Sequence, residues 1–364
     1  NMKPGEKGSA FSCEGYETRP ILSPWGEKVT PENAWREYPR PQMVRKAWTS
    51  LNGLWQYAIV PADEDARPTK FDGEILVPFG PEAVLSGVRR KVTEKDQIWY
   101  RRTFAAEPRP GTRTLVNFEC VDFRAQVFVN GREATDVPHA GSAAPFAVDV
   151  TRFLRSGENV LEVCAWDPCC SHIGTTGKQM LDPIGSFHPA ESGICGSVWM
   201  ETVPADYISG YKVVTDVDAG TVKVEVEVKG RGQERMSISV YAADGKKLGE
   251  MIPSSTSTFN LNLPSPHLWS PEDPYLYTFK ATYGKDVVTG YFGMRKFEKR
   301  KDANGVLRFF LNNKPYYVMA TLDQGWWPDG LLTPPSEEAM AFDIKTLKDC
   351  GFNTMRKHIK VEPL

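Results

Sequence analysis

Between Tyr316 and Leu364 the hydrophobic pattern of the chain changes period, and this change limits the architecture most. Tyr316-Tyr317-Val318-Met319-Ala320 reads as a short buried strand, and a long loop, Thr321 to Pro335, follows it. The next stretch, from about Glu337 to Cys350, has Met340, Ile344 and Leu347 at i, i+4 and i+7, the spacing of one helical face. Ser336 is placed to cap the free amides of that helix, Glu337 and Glu338 suit its positive end, and Gly351 stands where a left-handed C-terminal cap is wanted. Phe352-Asn353-Thr354-Met355-Arg356 is a second strand. Strand, loop, helix, strand is one βα unit plus the strand that opens the next.

Everything upstream predicts β-structure. Residues up to about Arg45 contain Pro20, Pro24, Pro31, Pro39 and Pro41 and read as an ordered wrap or a loose arm, not a core element. Leu51 to Tyr57 has an alternating apolar face and the turn dipeptide Asn52-Gly53. Ile98 to Phe104 alternates. Phe123, Ala125, Val127 and Val129 share one strand face that ends in Asn130-Gly131, a strong hairpin signal. Phe146 to Val150 and Asn159 to Val163 continue the pattern, so a sandwich or jelly roll of about 200 residues is expected. From Asp206 to Lys296, Val222, Val224, Val226 and Val228 alternate with charged residues, and Ser237 to Tyr241 and Tyr275 to Phe279 are further strands. About ninety residues of this kind suit an immunoglobulin-like sandwich. Val306 to Leu311, with Asn312-Asn313-Lys314, forms a hairpin that leads into Tyr316.

At 364 residues, two or three domains are expected. A net charge of −2 argues against electrostatic nucleic-acid binding. No apolar run reaches the roughly 18 residues of a membrane span. Asn1 to Ala10 is polar, so no signal peptide is visible; a processed chain would also lack one, and the bacterial periplasm or secretion is preferred over the cytoplasm. Seven cysteines, none in a C-x-x-C pair, read as free buried thiols. Cys169-Cys170 with His172, His188 and Cys195 fits no zinc spacing, so neither a metal nor another cofactor is expected.

The order of short segments is informative. Leu51-Asn52-Gly53-Leu54-Trp55, Trp99-Tyr100-Arg101-Arg102, Val127-Phe128-Val129-Asn130-Gly131, Pro145-Phe146 with Asp149-Val150-Thr151, and Ser192-Gly193-Ile194 with Val198-Trp199 come first. Leu268-Trp269-Ser270-Pro271, Pro274-Tyr275-Leu276-Tyr277, and Asp343-Ile344 with Lys348 and Gly351-Phe352-Asn353 follow. In this order the chain resembles the N-terminal portion of glycoside hydrolase family 2, which holds β-galactosidases, β-glucuronidases and β-mannosidases. The resemblance implies a mainly β chain: a jelly-roll sugar-binding domain over residues 1–205, an immunoglobulin-like β-sandwich over 206–296, and the truncated start of a (β/α)8 catalytic barrel over 297–364. It implies a retaining exo-β-glycosidase, β-galactosidase-like, with two carboxylates about 5–5.5 Å apart. The family acid/base is a Glu directly after an Asn. No Asn-Glu dipeptide occurs here, so both carboxylates are expected beyond Leu364 and the chain alone is expected to be inactive. The alternative is a non-catalytic carbohydrate-binding or adhesion protein, which has no use for a barrel start. The expected partner is a β-glycoside, and a homo-oligomer stays open.

The same resemblance supplies candidate site residues. Arg356 ends the second strand, where a family Arg orients the nucleophile, and His358 follows at a spacing shorter than the Arg-x-x-His common in the family. The loop after the first strand holds Asp323, Gln324, Trp326, Trp327 and Asp329, with aromatic faces for sugar rings and polar groups for hydroxyls. Asp182, His188 and Glu191 precede Ser192-Gly193-Ile194, at about the place where a loop of related β-galactosidases reaches a neighbouring active site; they read first as solvated loop residues. Trp99, Trp166, Trp199 and Trp269 read as core and not as ligand platforms.

Overall fold

The computed structural model describes residues 21–63, 67–169, 173, 176–232, 234–253 and 257–362. The chain is mainly β, with the one long helix among the described residues at Glu337–Asp349. Two sheets make the first layer pair. One has the order Trp48–Ser50, Val198–Pro204, Thr112–Phe118, Phe146–Asp149, all antiparallel. The other runs Gly73–Val77, Gly53–Pro61, Asp96–Ala106, Gly157–Trp166, Arg124–Val129, Arg132–Glu133. Ile98, Tyr100, Ala125, Val127, Leu161 and Val163 from the second sheet meet Val116, Phe118, Val148 and Val198 from the first in one buried cluster. That alternation holds the sheets together, since each strand sends every second side chain inward.

Asn52-Gly53 does not close a hairpin. The chain switches sheets there, from Trp48–Ser50 to Gly53–Pro61. Buried Asn52 explains the switch: its side-chain nitrogen donates to the carbonyl of Trp35 at 2.8 Å, and its oxygen accepts from the amide of Val198 at 2.8 Å. Asn130-Gly131 does close a hairpin, with φ of 52° and 77°, the left-handed pair that a two-residue primed turn requires.

A second pair of four-stranded sheets follows. Tyr207–Asp216, Thr221–Lys229, Thr258–Asn262 and Ile252–Pro253 form one; Lys247–Glu250, Met236–Tyr241, Tyr277–Tyr283 and Asp286–Phe292 form the other. Val222, Val224, Val226, Ile238, Val240, Phe279 and Val288 fill the space between them, while Val228 lies outside the buried face.

The N-terminal arm is a core element, contrary to the expectation from its prolines. Ala34 is buried beside Leu76, Phe79 and Ala83, Met43 enters the second core, and Val44 bridges to Thr289. Arg45 is 4% exposed and links the two sandwiches. Prolines fix an extended path and do not prevent burial. Pro20 lies outside the described residues.

After Asp286–Phe292 come a three-stranded antiparallel unit, Phe297–Lys301, Leu307–Leu311 and Lys314–Pro315, and then the βα unit. Its first strand is Ala320–Asp323, not Tyr316–Ala320, and it is not buried: Tyr317 is 79% exposed and Met319 and Leu322 are exposed. The loop accordingly starts at Gln324, not Thr321. Asn353 decides the boundary. Its side chain accepts from the amide of Met319 at 2.9 Å and donates to the carbonyl of Tyr317 at 2.8 Å, which holds 317–319 off the strand path. Ala320–Asp323 pairs in parallel with Thr354–Lys357, a strand set slightly later than Phe352 to Arg356. Ser336 caps the helix through the amide of Ala339 at 3.2 Å. Gly351 has φ of +91° and closes the C-terminus: Phe352 donates to the Leu347 carbonyl and Gly351 to that of Lys348. On the helix face of Met340, Ile344 and Leu347, Ile344 is exposed and the other two are partly covered; Phe342, on the opposite side, is also exposed.

Cys120, Cys164, Cys195 and Cys350 are free thiols; Cys164, Cys169 and Cys195 are buried and Cys350 is exposed. Cys13, Cys170 and His172 lie outside the described residues, and with them part of the conceivable metal constellation. Trp99 and Trp199 are buried as expected, whereas Trp166 and Trp269 are only partly covered.

Candidate functional site

The site is built where the loop 324–335 meets the first sandwich. Asp323 ends its strand and accepts from the amide of Gly325 at 2.7 Å, which starts a tight reversal. Gly325 has φ of +65°, the left-handed region that favours glycine, and a Cβ there would come within 2.1 Å of Lys360 Cδ, so the lysine would have to move. Lys360 donates back to the Gly325 carbonyl at 3.0 Å. Trp327 and Leu331 exchange backbone hydrogen bonds and close the loop.

The loop is then tied to the sandwich at several separate points. Leu332 donates to the Glu191 carboxylate at 2.7 Å, Thr333 Oγ1 to the Cys195 carbonyl at 2.7 Å, and Trp35 Nε1 to the Pro334 carbonyl at 2.7 Å. Asp329 is 0% exposed and is occupied by Ser23, whose amide and hydroxyl donate to it at 2.8 and 2.7 Å. It therefore anchors the arm and presents nothing to a sugar. Trp327 packs edge-on against Trp25, which also touches Phe342 of the helix.

Gln324 and Trp326 turn the other way and meet His188. The Trp326 and His188 rings stack at 4.6 Å between centroids with 17° between planes, and His188 Nε2 lies 2.7 Å from Gln324 Oε1. Lys178 reaches the same Gln324 oxygen at 3.4 Å. Lys178 and His188 of the first sandwich and Gln324 and Trp326 of the loop, distant in sequence, thus form one surface. Trp326, Lys178, Lys360 and Ile359 contribute to the wall of an adjoining cavity of about 430 Å³. Arg356 and His358 sit at the end of the second parallel strand, with Arg356 Nη1 3.1 Å from His358 Nδ1. Desolvation and the positive charges of Arg356 and Lys178 hold the His358 imidazole below its ordinary pKa. Burial raises the Asp323 carboxyl, but the Lys357 ammonium and the Gly325 amide outweigh it and leave it below the usual range.

Of the three residues expected to be solvated, only Asp182 is; it pairs with Lys91 on the surface. Glu191 is 0% exposed and His188 is partly covered, because the loop 324–335 lies over both. Burial pushes Glu191 up to about 8, against the donations of Leu332 and Gly80, and burial pushes the neighbouring Glu82 up to about 8 as well. A carboxyl with a raised folded-state pKa keeps a proton that the unfolded chain releases above its ordinary 4.5, so its contribution to stability is present at low pH and is lost as pH rises toward 8. We expect the melting temperature to be lower at about pH 8.5 than at about pH 6, with a smaller difference in Glu191→Gln, which is neutral at both. A melting temperature that is flat or rises across this window would refute the protonated state. Lys178, Ser23 and Trp25 escaped the sequence reading; their partners lie across the fold, and no local pattern marks them.

The fold and site thus define a protein of antiparallel β-sandwiches that hold the loop of a parallel βα unit. The family descriptions "Glycosyl hydrolases family 2" and "Glycosyl hydrolases family 2, sugar binding domain" match residues 206–295 and 86–180, together just over half of the chain, and the chain belongs to this family. Among its relatives, a β-glucuronidase of Canis lupus familiaris is 27% identical over 252 residues, 60% of this chain and 38% of that protein. A β-galactosidase of Oenococcus oeni is 28% identical over 252 residues, 59% of this chain and 22% of that protein. The Faecalibacterium prausnitzii β-glucuronidase structure superposes with a TM-score of 0.71 at 24% identity, covering 88% of this chain and 57% of that one, and shares the fold. The chain thus spans well under two thirds of the length of each of these proteins.

Proposed function

We propose that this chain is the N-terminal portion of a retaining exo-β-glycosidase that hydrolyses terminal β-glycosides. In this reading the first layer pair is a jelly-roll sugar-binding domain (1–205), the second an immunoglobulin-like sandwich (206–296), and residues 297–364 open a (β/α)8 barrel. The observation that carries it is the parallel pairing of Ala320–Asp323 with Thr354–Lys357 across one helix, with Arg356 and His358 at the C-terminal end of the pair. In such barrels that end faces the substrate. The exposed Leu322, Phe342 and Ile344 support the reading, since further barrel strands and helices would cover them.

The chemistry then divides. The acid/base and the nucleophile come from later barrel strands, Arg356 orients the nucleophile, and Trp326 with Gln324 and His188 receives the sugar. A stacked indole covers the apolar face of a pyranose while the amide and imidazole read its hydroxyls. Trp326→Ala in the complete encoded protein is expected to raise KM for nitrophenyl β-glycosides about tenfold or more, the weight of one aromatic–sugar contact. An unchanged KM would remove Trp326 from the site. The open apolar face gives a second test: amides of 320–323 and 354–357 in the isolated chain should exchange faster than those around Val127, which lies in a central, covered strand. Equal protection in both regions would refute an incomplete barrel.

A further inference from the structure

Two of the free thiols stand opposite each other under the loop 324–335. The short antiparallel pairing of Gly193 with Asp122 and Ile194 with Val121 puts Cys195 opposite Cys120 at the next position. The Cys195 amide donates to the Cys120 carbonyl at 3.3 Å, which continues the ladder by one residue. Residues paired in this way have Cα atoms about 5.5 Å apart and send their side chains to the same face. That spacing lies inside the roughly 4.4–6.8 Å over which two cysteines can be bridged. The two segments are pressed together here. A Cβ on the following residue, Gly196, would lie 2.8 Å from the Cys120 nitrogen and 2.9 Å from its Cβ, so the close approach depends on glycine.

The thiols themselves are in contact. Cys195 donates a hydrogen bond to the Cys120 sulfur, and the Cys120 thiol reaches the Ser142 carbonyl at 2.7 Å. Cys195 is buried, Cys120 is partly exposed, and both contribute to the wall of the 430 Å³ cavity beside Trp326. The bond from Cys195 favours the Cys120 thiolate, but burial and the carboxyls of Asp122, Glu191 and Glu119 outweigh it and hold the thiol above its ordinary pKa. Cys195 gives its hydrogen to that bond and is buried as well, and both effects hold it well above its own. Cys120 is therefore the thiol that attacks first, and a reagent without negative charge meets the least repulsion from the carboxyls.

We propose that Cys120 and Cys195 are a modification site for small, uncharged disulfides, which convert the pair into a stabilising cross-link between the segments 118–122 and 193–197. The Cys120 thiol releases its proton to solvent, its thiolate attacks one sulfur of the reagent, and a mixed disulfide forms as one small thiolate leaves. The Cys195 thiol then releases its proton, its thiolate attacks the Cys120 sulfur, and the second small thiolate leaves. Two protein thiols are oxidised, the reagent is reduced to two thiols, and the two protons end on those thiols. The Cys195 carbonyl accepts from Thr333 Oγ1, so the cross-link lies directly beneath the loop 324–335. The proposal is independent of whether the chain belongs to a glycosidase.

The test uses the 364-residue chain. The reduced chain is incubated with hydroxyethyl disulfide at about pH 8.5, where thiolates become available, and is then freed of reagent. Remaining thiols are blocked with iodoacetamide in denaturant, and unreduced peptides are mapped by mass spectrometry. The expected result is a peptide pair joining Cys120 to Cys195, absent from the untreated chain. The melting temperature should stand about 5–15 °C above that of the reduced chain and return with dithiothreitol, as for a cross-link that closes a long stretch of chain. In Cys120→Ala the rise should vanish. Recovery of Cys120 and Cys195 alkylated, either of them held as a mixed disulfide with the reagent, or either of them joined to another cysteine would overturn the proposal. So would the Cys120–Cys195 link without a rise in melting temperature, or a rise that persists in Cys120→Ala.

Discussion

Arg356→Lys in the complete encoded protein is expected to lower kcat by about two orders of magnitude, the usual effect of losing a positioned electrostatic group. Arg356 is exposed near the end of the second parallel strand, opposite Leu322, and its one side-chain partner among the described residues is the imidazole of His358 at 3.1 Å, whose pKa lies below its ordinary value. It makes no ion pair among the described residues, so its charge is free for a carboxylate that the barrel would bring. A guanidinium can hold such a carboxylate by two parallel bonds and keep it ionised; lysine keeps the charge and loses the fork. Because the side chain is not packed, the melting temperature should barely move. A large fall in melting temperature with near-parental kcat would make Arg356 a structural residue.

The largest expected loss of stability is at Arg45. Arg45 Nε and Nη2 grip Asp286 at 3.0 and 2.8 Å, Nη1 reaches Glu201 at 3.0 Å, and Nη2 also donates to the Ile208 carbonyl. Glu201 in turn accepts from Tyr38 at 2.6 Å, Arg40 at 3.0 Å and Trp199 at 2.9 Å. Arg45 therefore joins the arm, the first sandwich through Glu201 and the second through Asp286, in a site closed to water. Arg45→Met removes the charge and leaves two buried carboxylates without it, at a cost of about 3–5 kcal/mol. Arg152→Ala is the control: its pair with Asp136 is exposed, and its loss should cost below about 1 kcal/mol. Urea unfolding followed by fluorescence measures both. Equal and small losses would show that the node does not couple the two sandwiches.

These predictions differ in how visible their residues were in the sequence. Local patterns were legible. Asn130-Gly131 demanded a left-handed turn, Ser336 and Gly351 bounded a helix, and Val222, Val224 and Val226 alternated because one face of their strand is buried. The apolar run Tyr316 to Ala320 misled because period alone cannot place a strand; the Asn353 side chain and the pairing with Thr354–Lys357 decide it. Of the candidate site, Gln324, Trp326 and His188 come together, and Arg356 and His358 form a pair beside them. Asp329 and Glu191 carry buried anchoring contacts to Ser23 and Leu332 instead. Arg45 was passed over as part of a proline-rich arm, and the 241 residues that separate it from Asp286 explain why: such a contact exists only after both sandwiches have formed.

On the proposed function, this chain provides the sugar-facing walls of a β-glycosidase whose acid and nucleophile lie on later barrel strands. The most direct measurement compares the 364-residue chain with the complete encoded protein on nitrophenyl β-glucuronide and β-galactoside, following the anomeric form of the released sugar by NMR. Turnover with retention of configuration is expected from the complete protein, and no turnover from the 364-residue chain. Hydrolysis by the shorter chain that survives exhaustive purification, or inversion by the complete protein, would contradict it.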